Sequence, residues 1–351
     1  MEASESYPMK GGAGPVSYIN NSSLQREAAD HAFKAVVTAA IIGNFDITHL
    51  PPFSNSCAIA DLGCSTGPNT FIVMKKIIRA IMHRHQMEGH DDDIEFQCFF
   101  NDHVSNDFNT LFFSLPTDRR YLVAGVPGSF YERLFGRASI NFFSSTYALH
   151  WLCCAPKELS DLNSSVCNKG RITYANARNE VVEAFVAQFA KDMQTFLHAR
   201  AEETVPGGLV SILMSGRPDG MHPSKSLYGP LFQPLESCLV DMANEGLVNK
   251  DEIDKFNIPL YSPSATEISL LVQRNGNFSI AKLESIHREY LAIPSAAASR
   301  AGLEGILSKA FGNEIVDELY DRYAKRVAGI SPIRGEEGLA VQLFILLKRN
   351  Y

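Results

Sequence analysis

The sequence predicts an α/β fold: a parallel sheet flanked by helices, with a mostly helical insertion late in the chain. Three observations carry this prediction. Apolar, β-prone runs alternate with helical stretches between residues 57 and 214. The first run ends in a glycine turn, Asp61-x-Gly63-x-x-x-Gly67, that opens a helix. Past Ser215 the rhythm gives way to Gly-, Pro- and Ser-rich sequence and helical stretches before strands return.

Each element has its own signal. Residues 1–22, rich in Gly, Ser and Asn, read as a loose terminal segment. Leu24, Ala28, Phe33, Val36, Val37 and Ala40 recur at helical spacing and predict a helix to about Ile42. Cys57–Leu62 reads as a buried strand running into Gly63. Pro68 stands at a favoured first helical position, and an apolar stripe continues from Asn69 to about Arg84. Strands are expected at 94–101, 121–126, 140–146 and 208–214, with a short helix at 106–114. Val182, Phe185, Phe189, Met193, Phe196 and Leu197 stripe a long helix over 180–203. Helices are predicted at about 232–246, 250–256 and 300–328, and strands at 278–283 and 338–348. The division that follows is a discontinuous core, 1–216 with 276–351, interrupted by a cap of 217–275 plus part of 295–330.

Composition excludes several classes. The 351 residues are 45% hydrophobic and 20% charged, ordinary for a globular chain that buries a large core. A net charge of -7, without any block of basic residues, disfavours nucleic acid and anionic membrane as partners. The longest apolar runs are too short to span a bilayer, and the opening residues lack a signal-peptide pattern. The 7 cysteines include no Cys-x-x-Cys pair, which fits reduced thiols and a cytoplasmic location.

The glycine turn is the first chemical signal. In open α/β sheets, ligands bind at the carboxyl ends of strands, and glycines let them approach the backbone. A dinucleotide fingerprint needs a third glycine, but position 65 is Ser, and Pro68 removes an N–H. An acidic residue before two glycines suits a cationic nucleoside such as S-adenosylmethionine. Asp61 and Gly63 would face its amino-acid part, and Asp102, ending the next strand, its ribose hydroxyls. A plain tight turn is the alternative reading of the same residues.

Ordered motifs then bring a resemblance. MKGGAGPVSYINNSSLQ (9–25), LGCSTGPNT (62–70), FFNDHVSNDFN (99–109), GVPGSFYERLF (125–135), SSTYALHWL (144–152), NKGRI (168–172) and DKFNIP (254–259) resemble the plant SABATH family. These are S-adenosylmethionine-dependent carboxyl methyltransferases acting on salicylate-, jasmonate- and loganate-type acids, with xanthine N-methyltransferases as relatives. The resemblance implies a Rossmann-like class I methyltransferase sheet with a helical capping domain, residues 1–22 lying over the pocket as a lid, and a homodimer. It implies that Tyr18, Cys64, Asn69, Asp102, Ser129 and Phe130 line the cofactor and that Ser22 helps hold its carboxylate. Gln25, Tyr147, His150 and Trp151 would face the methyl acceptor. Asn168, Asp254, the Phe256 carbonyl and Asn257 match a magnesium site of some members; with one charged ligand, the ion would be weak and non-essential. His103 stands where the family more often has Leu against adenine.

The implied function is esterification of a small-molecule carboxylic acid by direct in-line methyl transfer. A carboxylate is already ionised at pH 7, so no general base is required; catalysis is positioning and desolvation. Gln25, His150 and Trp151 can donate hydrogen bonds to the acceptor. A buried hydrogen-bonded core residue is the competing reading of His150, and a core plug that of Trp151. His rather than Met at position 150 goes with non-salicylate acids in the family. Met214, Met221, Leu227, Tyr228, Leu231, Phe232 and Leu235 form a roomy apolar set suited to a terpenoid, iridoid, phytohormone or aromatic acid, the likeness being nearest to loganate-type members. Two other readings stand beside it: a xanthine-type N-methyltransferase and a non-catalytic S-adenosylmethionine-binding protein. Because the overall charge repels acids, attraction must be local, from Lys10, Gln25, His150 and Trp151.

Overall fold

A computed structural model describes residues 7–46, 56–90, 93–334 and 341–351. Its main sheet has seven strands: β1 (Ser56–Leu62), β2 (Glu95–Asp102), β3 (Leu122–Pro127), β4 (Ile140–Thr146), β5 (Thr204–Gly216), β6 (Phe278–His287) and β9 (Val341–Arg349). Their order is β3-β2-β1-β4-β5-β9-β6. A separate ribbon pairs β7 (Tyr290–Leu291) with β8 (Ile333–Arg334).

β1 to β5 are parallel, as the alternation predicts. The expectation of a wholly parallel sheet is corrected at β9, which runs antiparallel between β5 and β6. The chain reaches β9 from helices lying over the carboxyl ends of the other strands. It therefore enters the sheet at that edge and runs back down; Gln342 pairs with Ser215 and with Ile286, near the ends of β5 and β6. Apolar periodicity reports burial and carries no information on strand direction.

The central strands are buried almost throughout: β4 is buried at every residue from Ile140 to Ser145, and β9 from Val341 to Leu347. One face carries α2 (Ser23–Ala32), a π-helical turn (Phe33–Val37), α3 (Thr38–Asn44) and α4 (Asn69–Met87). The other carries α6 (Asn179–Glu203), which buries the predicted stripe from Val182 to Leu197. α1 (Tyr18–Asn21) precedes α2, and α5 (Phe108–Phe113) begins at Asp107, whose carboxylate accepts from the Thr110 N–H. Pro68 sits just before the first helical residue of α4, after a cis Gly67–Pro68 bond.

Between β5 and β6 lie α7 (Tyr228–Asn244), α8 (Lys250–Lys255) and α9 (Ala265–Asn275); between β6 and β9 lie α10 (Ala296–Phe311) and α11 (Asn313–Val327). α10 packs on α11 and α11 on α7, so the two late insertions meet. The 300–328 stretch is two helices, broken at Gly312, where φ is +84°. α9 was not anticipated as a helix, although Ser264 and Glu267 form a capping box at its start. It lies against α6 and β6. The predicted strand at 278–283 extends to His287, while residues 338–340 of the last predicted strand fall outside the described residues.

Candidate active site

The carboxyl ends of β1, β2, β4 and β5 converge on a cavity of about 310 Å³, a volume ordinary for a small-molecule site. Its floor is the glycine turn. Gly63 and Cys64 both donate backbone N–H bonds to the Asn101 carbonyl, each at 2.9 Å, tying the end of β1 to β2. Gly63 has φ +84°, and a Cβ there would lie 2.3 Å from the Ala148 Cβ. Only glycine fits, because the Ala148 Cβ occupies the space a side chain would take.

The two aspartates face this turn differently. Asp61 accepts from the Thr70 hydroxyl at 2.5 Å through Oδ2, while its buried Oδ1 accepts no hydrogen bond of ordinary geometry. Burial pushes its carboxyl up to about 6, opposed by the Thr70 and Ser144 hydroxyls. Asp102 accepts the Ser65 N–H at 2.7 Å and the His103 N–H at 2.8 Å, one on each oxygen. Burial raises its pKa as well, and its remaining lone pairs are available to hydroxyl donors. Tyr18 lines the cavity beside it, its phenol pushed up by burial and then by the Asp102 charge.

The other expected cofactor residues divide. Phe130 and His103 line the main cavity. Cys64 and Asn69 line a small adjoining pocket that shares Tyr18, Gln25, Gly63, Ser65 and Tyr147 with it. The Asn69 amide is engaged: its nitrogen donates to the Ser22 carbonyl and hydroxyl, both at 3.0 Å, and its oxygen accepts from Arg26 at 2.9 Å. Ser22 is thereby a strut between α2 and α4. Ser129 faces a neighbouring groove, its hydroxyl accepting from the Tyr131 N–H at 3.3 Å.

Gln25, Tyr147, His150 and Trp151 all line the main cavity. The Gln25 Oε1, the Tyr147 hydroxyl and the His150 Nδ1 are buried without partners. Burial holds the His150 imidazole down at about 4, so it is neutral at pH 7. The strand-end loop is fixed on both sides. The Tyr131 hydroxyl donates to the Trp151 carbonyl at 2.6 Å, the Leu152 N–H to the Pro259 carbonyl at 2.8 Å and the Tyr261 N–H to the His150 carbonyl at 2.9 Å. Tyr147 itself sits at φ +57°, an unfavourable region for an aromatic residue, and lines both the main cavity and the adjoining pocket.

Leu227, Tyr228, Leu231, Phe232 and Leu235 of the α7 region line the cavity as expected. Met214 and Met221 do not. Met214 is fully buried in the core, and the Met221 carbonyl accepts from Arg217 outside the cavity. Tyr7, Pro8 and Met9 also line the cavity. The Lys10 ammonium does not stand free over the pocket: it is paired with Glu304 on α10, and the Lys10 backbone N–H donates to the Ala301 carbonyl at 2.9 Å. Gly11 then passes Asp107 so closely that a Cβ would lie 2.6 Å from the carboxylate, and the Gly12 N–H donates to it at 2.9 Å.

Several contributors were not singled out from sequence. Arg200 and Glu203 form an ion pair with both side chains fully buried. Arg200 donates to the carbonyls of Phe130 at 2.7 Å and Glu132 at 2.9 Å, and Glu203 accepts from the N–H groups of Leu134 and Phe135. This pair holds the 130–135 segment against β4. Its signal was present: Arg200 continues the Met193–Phe196–Leu197 stripe into the buried face. Gln342 and Arg288 also line the cavity. A Gln inside the apolar run of β9 is the corresponding signal.

Asn168, Asp254, Phe256 and Asn257 lie together, away from the main cavity. The Asn168 amide nitrogen donates to the Asn257 Oδ1 at 2.7 Å and to the Thr173 carbonyl at 2.9 Å, and Asp254 accepts from the Gly170 N–H at 2.7 Å. Two of the oxygens a cation would need are thus committed to N–H donors. No cluster of three or more His, Cys, Asp or Glu among the described residues could hold a metal. All seven cysteines are free thiols, and no helix among the described residues is long and apolar enough to cross a membrane.

A seven-stranded sheet with one reversed strand, a glycine turn flanked by the buried Asp61 and the half-buried Asp102, and a cavity at the carboxyl ends of the strands define a class I S-adenosylmethionine-dependent methyltransferase. The model of the family described as SAM-dependent carboxyl methyltransferase matches residues 4–350, and the chain belongs to that family, the SABATH enzymes its motifs resemble. It is 39% identical to a loganic acid O-methyltransferase of Catharanthus roseus, over 99% of this chain and 95% of the relative. It is 36% identical to a farnesoic acid carboxyl-O-methyltransferase of Arabidopsis thaliana, over 99% of this chain and the whole relative. The solved structure of a loganic acid methyltransferase with SAH superposes with a TM-score of 0.89 at 37% identity, covering 98% of this chain and 99% of the other. S-adenosylmethionine is the methyl donor of the family.

Proposed function

We propose that this enzyme forms the methyl ester of a small, largely apolar carboxylic acid other than salicylate. The observation that carries the reading is the uncharged, half-buried His150, its Nδ1 buried and unpartnered, facing the same cavity as Gln25 and Trp151. A carboxylate needs donors that hold one oxygen while the other attacks, and a low-dielectric wall strengthens each such bond. The His150 and Trp151 ring N–H groups can donate without titrating, and the Gln25 amide can turn its nitrogen to the same oxygen. The relatives acting on loganic and farnesoic acids support this reading over the xanthine one, as does the apolar wall from Leu227 to Leu235. Methyl transfer from [methyl-14C]S-adenosylmethionine to a panel of terpenoid, iridoid, phytohormone and aromatic acids, with xanthosine and salicylate included, tests it. Label on xanthosine alone, or cofactor binding without transfer to any acid, would remove it.

Trp151→Ala is expected to lower kcat/KM for the acid at least about tenfold, the equivalent of one lost hydrogen bond to a charged acceptor. A loss within about threefold would reassign Trp151 to packing.

The bound cofactor supplies an electrophilic methyl group on a sulfonium. The chain's residues fit it. Asp61 brings an unpartnered buried carboxylate oxygen for its ammonium, Gly63 a side-chain-free lining where the two pockets adjoin, and Asp102 free lone pairs for ribose hydroxyls. Asp61 must be ionised to hold a cation, and its pKa in the empty protein lies at about 6. Burial has raised this value above that of the unfolded chain, so ionisation costs stability as pH rises toward 6, and a bound cation returns it. S-adenosylhomocysteine affinity is therefore expected to be constant above pH 7 and to weaken by up to about tenfold per unit below 6, measured by calorimetry. A flat affinity from pH 8 to 5 would exclude Asp61 from the site.

Asn168, Asp254 and Asn257 act as an anchor beneath the cap, with at most a weak, non-essential Mg²⁺. Turnover after exhaustive EDTA treatment should stay within about twofold of the untreated enzyme, and complete loss would overturn this. The free thiols fit a reducing, cytoplasmic setting, and the family resemblance supports a homodimer.

A further inference from the structure

The acceptor cavity holds polar groups that orienting a carboxylate does not use. Gln342 is only 4% exposed, yet neither its amide oxygen nor its nitrogen has a hydrogen-bond partner. Leaving both ends of a buried amide unpaired is costly, and in a strand otherwise apolar from Val341 to Leu347 a Leu would remove that cost. The amide lines the cavity, which points to a ligand group as its missing partner.

Strand register shows what stands beside it. Gln342 on β9 pairs with Ser215 on β5 and Ile286 on β6, and Thr146 at the end of β4 pairs with Leu213 of β5. Tyr147, Ser215, Gln342 and Arg288 therefore follow one another across the carboxyl edge of the sheet, and all four line the cavity. The Tyr147 hydroxyl is a second buried group without a partner. Arg288 makes no ion pair among the described residues. Gln342 stands two strand spacings from β4, about 10 Å from the strand end that carries His150 and Trp151.

We infer that the cavity contains a second polar subsite, centred on Gln342 and flanked by Tyr147 and Arg288, that reads a neutral oxygen group (a hydroxyl or carbonyl) on the acceptor, distal to its carboxylate. The favoured acceptor is thus an oxygenated acid rather than a plain hydrocarbon acid. An amide supplies both N–H donors and a carbonyl acceptor, so it can give to and take from a hydroxyl. A second carboxylate fits less well, because Gln342 and Tyr147 are uncharged and Arg288 is only half-buried. A site with unpaired buried polar groups discriminates strongly against ligands that leave them unpaired.

The inference rests on the methyl-ester reading, and the test separates the two. Decanoic, 10-hydroxydecanoic and decanedioic acids are compared as substrates, and as competitors of the best acid from the panel, for the wild type and Gln342→Leu. The wild type should favour the hydroxy acid over decanoic acid by at least about tenfold in kcat/KM or Ki. Gln342→Leu should bring that ratio to within about twofold of unity and should melt no lower than the wild type. Equal use of the plain and hydroxy acids by the wild type, or a preference that survives Gln342→Leu, would overturn the subsite and leave the ester reading standing. A preference for the diacid would overturn the neutral-oxygen assignment. Formation of no ester from any acid of the panel would overturn the ester reading and the subsite with it.

Discussion

Gly63→Ala is expected to abolish measurable S-adenosylhomocysteine binding and to destabilise the fold by about 2–5 kcal/mol. Two costs combine. An alanine at φ +84° enters the left-handed region, which costs about 1–2 kcal/mol. Its methyl would also lie 2.3 Å from the Ala148 Cβ, an overpacking typically worth about 1–3 kcal/mol. Ala148 cannot yield cheaply, because it belongs to the loop carrying His150 and Trp151, which is fixed by the Tyr131, Pro259 and Tyr261 hydrogen bonds. Gly246→Ala separates the two costs: φ there is +79°, with nothing within 4 Å of the added carbon. It should lose about 1–2 kcal/mol and bind cofactor normally. Thermal melts with and without S-adenosylhomocysteine read both effects, since a ligand that binds raises the midpoint. A Gly63→Ala protein whose midpoint still rises with ligand would show that the turn does not contact it.

Arg200→Met is expected to cost about 3–5 kcal/mol, because it strands the Glu203 carboxylate in a site with no exposure. The loss should reach the pocket. Arg200 holds the Phe130 carbonyl and stacks over Phe143 and Phe196 at 5.1 and 5.2 Å, so the 130–135 segment would loosen at the cavity wall. The double variant Arg200→Met/Glu203→Gln should regain part of the stability, since it removes the stranded charge, yet its KM for the cofactor should stay raised. If the single and double variants melt together, the Glu203 carboxylate is not what makes the change costly.

Much of this was legible beforehand, for physical reasons that differ by element. β1, α4, β2 and β4 were readable because buried parallel strands are continuous apolar runs, and the helices between them show only one face to the core. The motif around Asp61 and Gly63 was readable because a close ligand approach leaves few residue choices. β9's direction was not, since a strand buried on both faces reads alike in either sense. α9 was passed over although Ser264-x-x-Glu267 is a helix-start signature; a short helix after Pro263 carries little periodicity. Met214 joins the pocket set on residue type alone, whereas the strand buries it in the core next to the cavity-lining Ser215. Sequence alone offers Lys10 as a local attraction for acids because its partner, Glu304, comes from the far end of the chain. The Arg200–Glu203 pair and Gln342 share one lesson: a polar residue where the pattern calls for an apolar one is the place to look.

The late position of β9 also matters to the chain as it is being made. A nascent polypeptide leaving the ribosome can pair β1 to β5 as they emerge, but β5 and β6 must wait for β9 to fill the space between them. Until then two long strands expose open edges, a template for pairing with another chain. A premature stop before Val341 would therefore remove the sheet's interior, not a dispensable tail, and such products should be found in inclusion bodies or with chaperones.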